Sequence, residues 1–323
     1  SFIRSLNNSP KLYLLERIIK KGFLIADIKL EFDEKGAIKE NYKINGFIKD
    51  GELSLNKNYK INKIDFIFDL KKDFLKTNEA KFSIDKLNFT SNKILIKNIN
   101  NQFLFEGSID HDKFELESKD FELLTEDFLD SLSIKKINFS SENTFSFKLD
   151  KKFRLKDLEI LSKIKLNEFV IPNNFDLKIL FPKKKEDLNF MNNELEITYK
   201  KDQIYVNGSG NILFQDKEDE ISYKFSKRKD SIDFDTQLKF KKNPLSLKIL
   251  NYESDNKIVD LSLIGKKNKN DEIIIESLLF KEGKNIFSGK NLSINKNNKI
   301  HKLDEILLNY MDTDGDKNLI SLI

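Results

Sequence analysis

Along KFSIDKLNFTSNKILIKN, Lys81 to Asn98, apolar side chains fall at Phe82 and Ile84, at Leu87 and Phe89, and at Ile94 and Ile96, with mostly Ser, Asp, Asn and Lys between them. A period of two places one side chain in a core and the next in water, which is the pattern of a strand with one buried face. The same rhythm returns in IDFIFDL (Ile64, Phe66, Phe68, Leu70), in FLF (Phe103, Phe105) and in TFSFKL (Phe145, Phe147, Leu149). Further on it recurs in FDLKILF (Phe175, Leu177, Ile179, Phe181), LEITY (Leu195, Ile197, Tyr199), ISYKF (Ile221, Tyr223, Phe225) and LSLKIL (Leu245, Leu247, Ile249). The separators, such as Asn192 with Asn193 and Lys200 to Asp202, are short and polar. Parallel crossovers need a dozen or more residues, so connections this brief join antiparallel neighbours. The chain is therefore expected to be mainly all-β, a long antiparallel meander over residues 23–323.

Two departures from the rhythm add to this expectation. A spacing of i, i+3, i+5 recurs in INKIDF (Ile61, Ile64, Phe66), IDKLNF (Ile84, Leu87, Phe89), IKKINF (Ile134, Ile137, Phe139), LKDLEI (Leu155, Leu158, Ile160) and LNEFVI (Leu166, Phe169, Ile171). A three-residue step breaks strand parity, so each such site predicts a bulge or a change of face. Single glycines inside strands, at Gly46, Gly51, Gly107, Gly208, Gly210, Gly265 and Gly289, permit kinks. Together these predict a curled sheet. Its apolar face could be covered in a two-sheet sandwich or a coiled solenoid, or left as an open groove with a hydrophobic concave face, the last being the fold expected. Helix is expected in two places. SPKLYLLERIIKKG carries a Ser9 cap, Pro10 in the first turn, an apolar stripe at Leu12, Leu15, Ile18 and Ile19, and Gly22 as terminator, within an N-terminal segment 1–22. TEDFLDSL, residues 125–132, reads as a short helix or a turn.

Composition narrows the function. Charged residues make up 34 % of the 323, but 28 Phe exclude a disordered chain. The balance of 57 basic to 53 acidic residues is spread thinly, and Arg occurs only at Arg4, Arg17, Arg154 and Arg228, so no phosphate-tracking stripe is expected and nucleic acid is not an expected partner. There is no Cys, and His111 and His301 lie far apart among charged neighbours, where surface positions are expected. No metal, cofactor or catalytic centre is expected from these residues. In DTDGDKN, Asp312, Asp314, Asp316 and Asn318 have the spacing of early calcium-loop ligands, but Ile323 stands where the closing carboxylate belongs, so a hairpin turn is expected. GSG at Gly208 to Gly210 lacks the helix and the Lys-Ser/Thr pair of a phosphate loop. No run reaches the eighteen or so apolar residues of a spanning helix.

The texture of YKINGFIKDGELSL followed by YKINKIDFIFDL, and of AKFSIDKLNFTSNKILIKNINNQFLFEGSID, resembles the AsmA-like proteins, in particular the YhdP and TamB type with a repeating β-groove. The resemblance implies a bacterial envelope protein of the periplasm. It implies attachment to the inner membrane through a segment not present here, a role in outer membrane biogenesis, and transport of phospholipid between inner and outer membranes along the groove. The groove-lining residues expected to meet acyl chains are Ile64, Phe66, Phe68, Phe82, Ile84 and Phe89, then Ile94, Ile96, Phe103, Phe105, Phe145 and Phe147. In the second half they are Leu177, Ile179, Ile197, Tyr199, Phe234, Phe240, Leu247 and Ile249. The same alternation would serve a scaffold, either a closed β-solenoid or an outer-membrane protein assembly factor, in which protein fills the apolar face.

Overall fold

The computed structural model describes residues 19–54, 60–84, 87–100, 102–117, 134–152, 154–173, 183, 185–241, 243, 245–254, 258–270, 272–295 and 300–322. Among them eighteen strands join in one antiparallel sheet, and the chain divides into two compact units, residues 1–112 with 141–161 and residues 113–140 with 162–323.

The first part of the chain contributes β1 (Ile19–Lys29), β2 (Lys43–Ser54), β3 (Lys60–Lys71), β4 (Phe74–Ile84), β5 (Leu87–Ile99) and β6 (Gln102–Glu117), each paired antiparallel with the next. After β7 (Lys136–Leu149) and β8 (Leu155–Pro172), the meander runs through β9 (Asp187–Lys200), β10 (Gln203–Leu213), β11 (Glu218–Arg228) and β12 (Ser231–Phe240). A strap then leaves the sheet. It holds β13 (Ser246–Leu247), a 3-10 turn at Lys248–Leu250 and β14 (Tyr252–Glu253). The sheet resumes with β15 (Val259–Asn268), β16 (Ile273–Glu282), β17 (Asn285–Ile294), β18 (Ile300–Lys302), β19 (Glu305–Met311) and β20 (Lys317–Leu322). The meander expected from the short polar separators is thus present.

Two expectations need correction. Ile19 and Lys21 belong to β1 rather than to a helix, paired with Leu53 and Glu52, and Gly22 (φ 139°) sits at a register shift. The remainder of the first helix and the whole of 125–132 lie outside the described residues. LSLKIL makes two residues of strand and then the 3-10 turn, because Leu245, Leu247 and Leu250 pack down on the sheet instead of extending it.

The three-residue steps produce bulges where their central residue takes a left-handed backbone. Lys63 in INKIDF (φ 52°) and Asp157 in LKDLEI (φ 50°) do so. Asp50 and Glu79 share that conformation (φ 52° and 51°), so with Lys63 they bulge neighbouring strands β2, β3 and β4, where the registers shift. One extra residue per strand increases local twist and bend, and it restores the apolar residues beyond to the same face.

Three hairpins share a turn that the alternation pattern does not announce. At Asp33, Asp150 and Asp312 the backbone N–H donates to the carbonyl four residues on, at 2.9, 3.2 and 3.0 Å. The Asp carboxylate in turn accepts the N–H groups two and four residues ahead: Lys35 and Ala37, Lys152 and Arg154, Asp314 and Asp316. A short acidic side chain is what such a turn needs. These donors, with the Arg154 N–H foremost, hold the Asp150 carboxyl down to about 2, and the Asp316 N–H leads the set that lowers Asp312. DTDGDKN is therefore a hairpin turn, with Gly315 at φ 87°.

The glycines of GSG serve packing. A Cβ on Gly208 would stand 2.6 Å from the Tyr223 ring on the paired strand, and one on Gly210 would stand 2.5 Å from the Asn193 side chain. Gly208→Ala is expected to cost about 1–3 kcal/mol by overpacking. In urea unfolding, Gly208→Ala with Tyr223→Leu should lose at least about 0.5 kcal/mol less than the sum of the single variants; strict additivity would contradict the contact.

Candidate apolar binding face

Residues opposite one another in antiparallel strands project to the same face, so register alone shows which side chains share a surface. In the first unit one row runs Gly46, Phe68, Thr77, Ile94, Gly107, and the next Ile44, Leu70, Leu75, Ile96, Phe105. Phe66 opposite Ile48 and Phe103 opposite Asn98 extend this face. Phe147 stacks on Phe105 at 4.6 Å between ring centroids and Phe145 lies 5.8 Å from Phe147. Phe82 and Phe89 form a stacked pair at 5.3 Å, and Ile84 stands opposite Ile61 and Leu87. Ile64 is buried against Gly51. All twelve residues expected to line a face in this unit therefore lie together on one.

In the second unit a row runs Ile197, Val206, Phe225, Phe234, Gly265, Ile275, Leu292, with Tyr199 opposite Ile204 one step along. Another crosses eight strands: Gly210, Ile221, Leu238, Leu261, Phe280, Phe287, Leu308, Ile320. The Gly265 position lies under Phe234, whose ring would stand 2.8 Å from an added Cβ. Most of this second row was not singled out from sequence, although its residues keep the same parity. Leu177 and Ile179 lie outside the described residues.

At the hairpin ends of this unit the protein covers its own apolar face. Phe240 is buried there, and the strap lies over it: Leu247, expected as lining, instead packs down on the cluster from the strap, and Ile249 belongs to the 3-10 turn. Tyr252, 1 % exposed, sets its ring edge-on against Phe280, Phe287 and Tyr310, at 5.8, 5.0 and 5.9 Å. Its hydroxyl donates to Glu282. Asp219 accepts the Lys241 N–H at 2.9 Å and the Asn243 amide. Both acids are 2 % exposed, on the face that is apolar elsewhere. Such carboxylates require hydrogen-bonding partners to be tolerated, which period counting along single strands does not reveal.

The opposite face is polar. Cross-strand pairs such as Lys97 with Glu106 at 2.9 Å and Lys266 with Glu276 at 3.1 Å line it, each contributing at most about 1 kcal/mol. A shallow depression of about 480 Å³ there is walled by Thr198, Tyr205, Asn207, Lys224, Asp233 and Asp235 among others. Beside β1 the polar face gives way to apolar side chains, because Ile25, Phe47 and Ile67 pair across three strands and remain exposed.

His111 departs from the surface position expected of it. It is buried on the apolar face, 5.4 Å from the Phe89 ring, with Nδ1 3.0 Å from the Asn88 carbonyl. His301 is exposed and 3.3 Å from Glu272. Among the described residues no group of three or more His, Asp or Glu is placed to hold a metal, and no helix is long and apolar enough to cross a membrane. No family model, no curated protein and no solved structure matches the chain.

Burial pushes the His111 pKa below 6.5. The unfolded chain therefore binds the proton more readily, so stability from this group is complete above about pH 6.5 and declines as pH falls below it. Urea midpoints compared at pH 7.5 and pH 5 should fall more for the wild type than for His111→Gln. Equal falls would show that His111 carries none of the dependence.

Proposed function

We infer that the chain shields the acyl tails of phospholipid on the apolar face of its sheet, and that this serves lipid passage between the inner and outer membranes of a bacterial envelope. The observation that carries the reading is the row running from Ile221 to Ile320, in which aliphatic and aromatic side chains follow one another through seven strands. Such a surface suits a ligand that is long and apolar and lacks a single recognised group. Exposing an acyl chain to water costs about 0.8 kcal/mol per CH₂, on the order of 25 kcal/mol for a two-tailed lipid, so an apolar surface lowers the barrier without chemistry. The envelope setting and membrane attachment rest on the resemblance to AsmA-like proteins.

A scaffold without lipid is favoured by one specific feature, the strap, which fills part of the face with protein. Adjacent residues of β5 separate the readings. Ile96 belongs to the apolar row and Leu95 to the opposite face, where it stands opposite Lys76 and Glu106. Protein purified under mild conditions should carry phospholipid detectable by mass spectrometry. Ile96→Asp should lose most of it while Leu95→Asp retains it, both with wild-type circular dichroism. Lipid-free wild-type protein, or equal lipid on both variants, would favour the scaffold.

A further inference from the structure

The strap Leu245–Ser254 is held differently from the strands beneath it. The strands that flank it, β12 and β15, are already paired with Phe240 opposite Val259, so raising the strap breaks no rung of the sheet. Its own regular pairing is confined to Ser246 with Glu253 and Leu247 with Tyr252. A loop whose ends are pinned together loses little closure entropy on docking and moves as a unit.

Side chains hold it down. The Tyr252 ring fills the space among Phe280, Phe287 and Tyr310, and its hydroxyl meets Glu282. Asn251, in the left-handed region at φ 48°, grips the β19–β20 turn. The Thr313 N–H donates to the Asn251 carbonyl at 2.9 Å, the Thr313 hydroxyl donates to Oδ1 at 2.8 Å, and the Asn251 amide donates to Asp314 at 2.8 Å. That clasp is exposed to water, whereas the ring beside it is buried. The aromatic residues under the ring continue the apolar row: Phe280 follows Leu261, and Leu308 follows Phe287. Tyr252 therefore occupies ground that an apolar ligand on the neighbouring rows would otherwise reach.

Building on the acyl-chain reading above, we propose that Leu245–Ser254 is a flap that an acyl chain displaces, the chain taking the place of the Tyr252 ring against Phe280, Phe287 and Tyr310. The flap protects this subsite from water while no acyl chain is bound, and Glu282 marks the docked position because it accepts the Tyr252 hydroxyl. Filling the subsite frees the flap, so ligand occupancy is reported by a segment whose clasp faces solvent.

The test combines hydrogen exchange with binding of the fluorescent fatty acid cis-parinaric acid to wild type, Tyr252→Ala and Glu282→Gln. In the wild type without ligand, flap amides should exchange at least about tenfold faster than those of β16 and β17, and faster still with the probe bound. Tyr252→Ala should bind the probe at least about threefold more tightly, because no ring must be displaced, with Glu282→Gln intermediate and circular dichroism unchanged. Flap amides as protected as β16 and β17 would overturn the proposal, as would equal probe affinity in wild type and Tyr252→Ala. If no protein binds the probe, the acyl-chain reading fails and the displacing ligand with it, while the exchange comparison still decides whether the flap opens. Should Tyr252→Ala fail to fold, Glu282→Gln and the wild-type exchange rates decide alone.

Discussion

Cross-strand register is the constraint on which the rest depends. Side chains change face at every residue, so a slip of one position would turn Phe66, Phe68, Ile94 and Ile96 outward and bring Asp69, Lys76 and Lys97 in. The cost of that exchange locks each hairpin, and the locking is cumulative because every strand is read by two neighbours. Rows of apolar side chains thereby extend through many strands that individually carry only three or four such residues.

Bulges and glycines keep those rows aligned where parity would otherwise fail. Lys63 and Glu79 each absorb an extra residue so that Ile64 and Ala80 both remain buried beside the break. Gly208 and Gly265 supply the room that large rings on paired strands require, under Tyr223 and Phe234. Burial of Tyr223 raises its hydroxyl to about 12, and the hydroxyl donates to Asn193, itself held by the Met191 and Asn211 carbonyls. Tyr223 and Asn193 are thus polar groups of this face tied down by their neighbours.

Much of this was legible in the sequence because alternation is a local signal. Phe103, Phe105, Phe145 and Phe147 could be assigned to one face by counting, and the stacking of Phe147 on Phe105 and Phe145 agrees. What counting could not supply was anything set by residues distant in the chain. LSLKIL alternates like a strand, yet Leu245, Leu247 and Leu250 join a cluster that includes Phe280, Phe287 and Tyr310, dozens of residues away, and the segment lies over the sheet. His111 looks solvated among Asp110, Asp112 and Lys113, but alternation turns Asp110 and Asp112 to the other face and leaves the His111 ring with Phe89. The three Asp-led turns did carry a sequence signal, an Asp at the first position of a short hairpin loop.

The proposed function stands or falls on whether the apolar rows receive lipid tails. Photo-crosslinking tests it most directly, with benzoylphenylalanine placed singly at Phe105 and Phe234 on the apolar face and at Leu95 and Asp235 on the polar one. Crosslinks to phospholipid confined to Phe105 and Phe234 are the predicted result. Crosslinks of equal yield from both faces, or none from either apolar position, would contradict it.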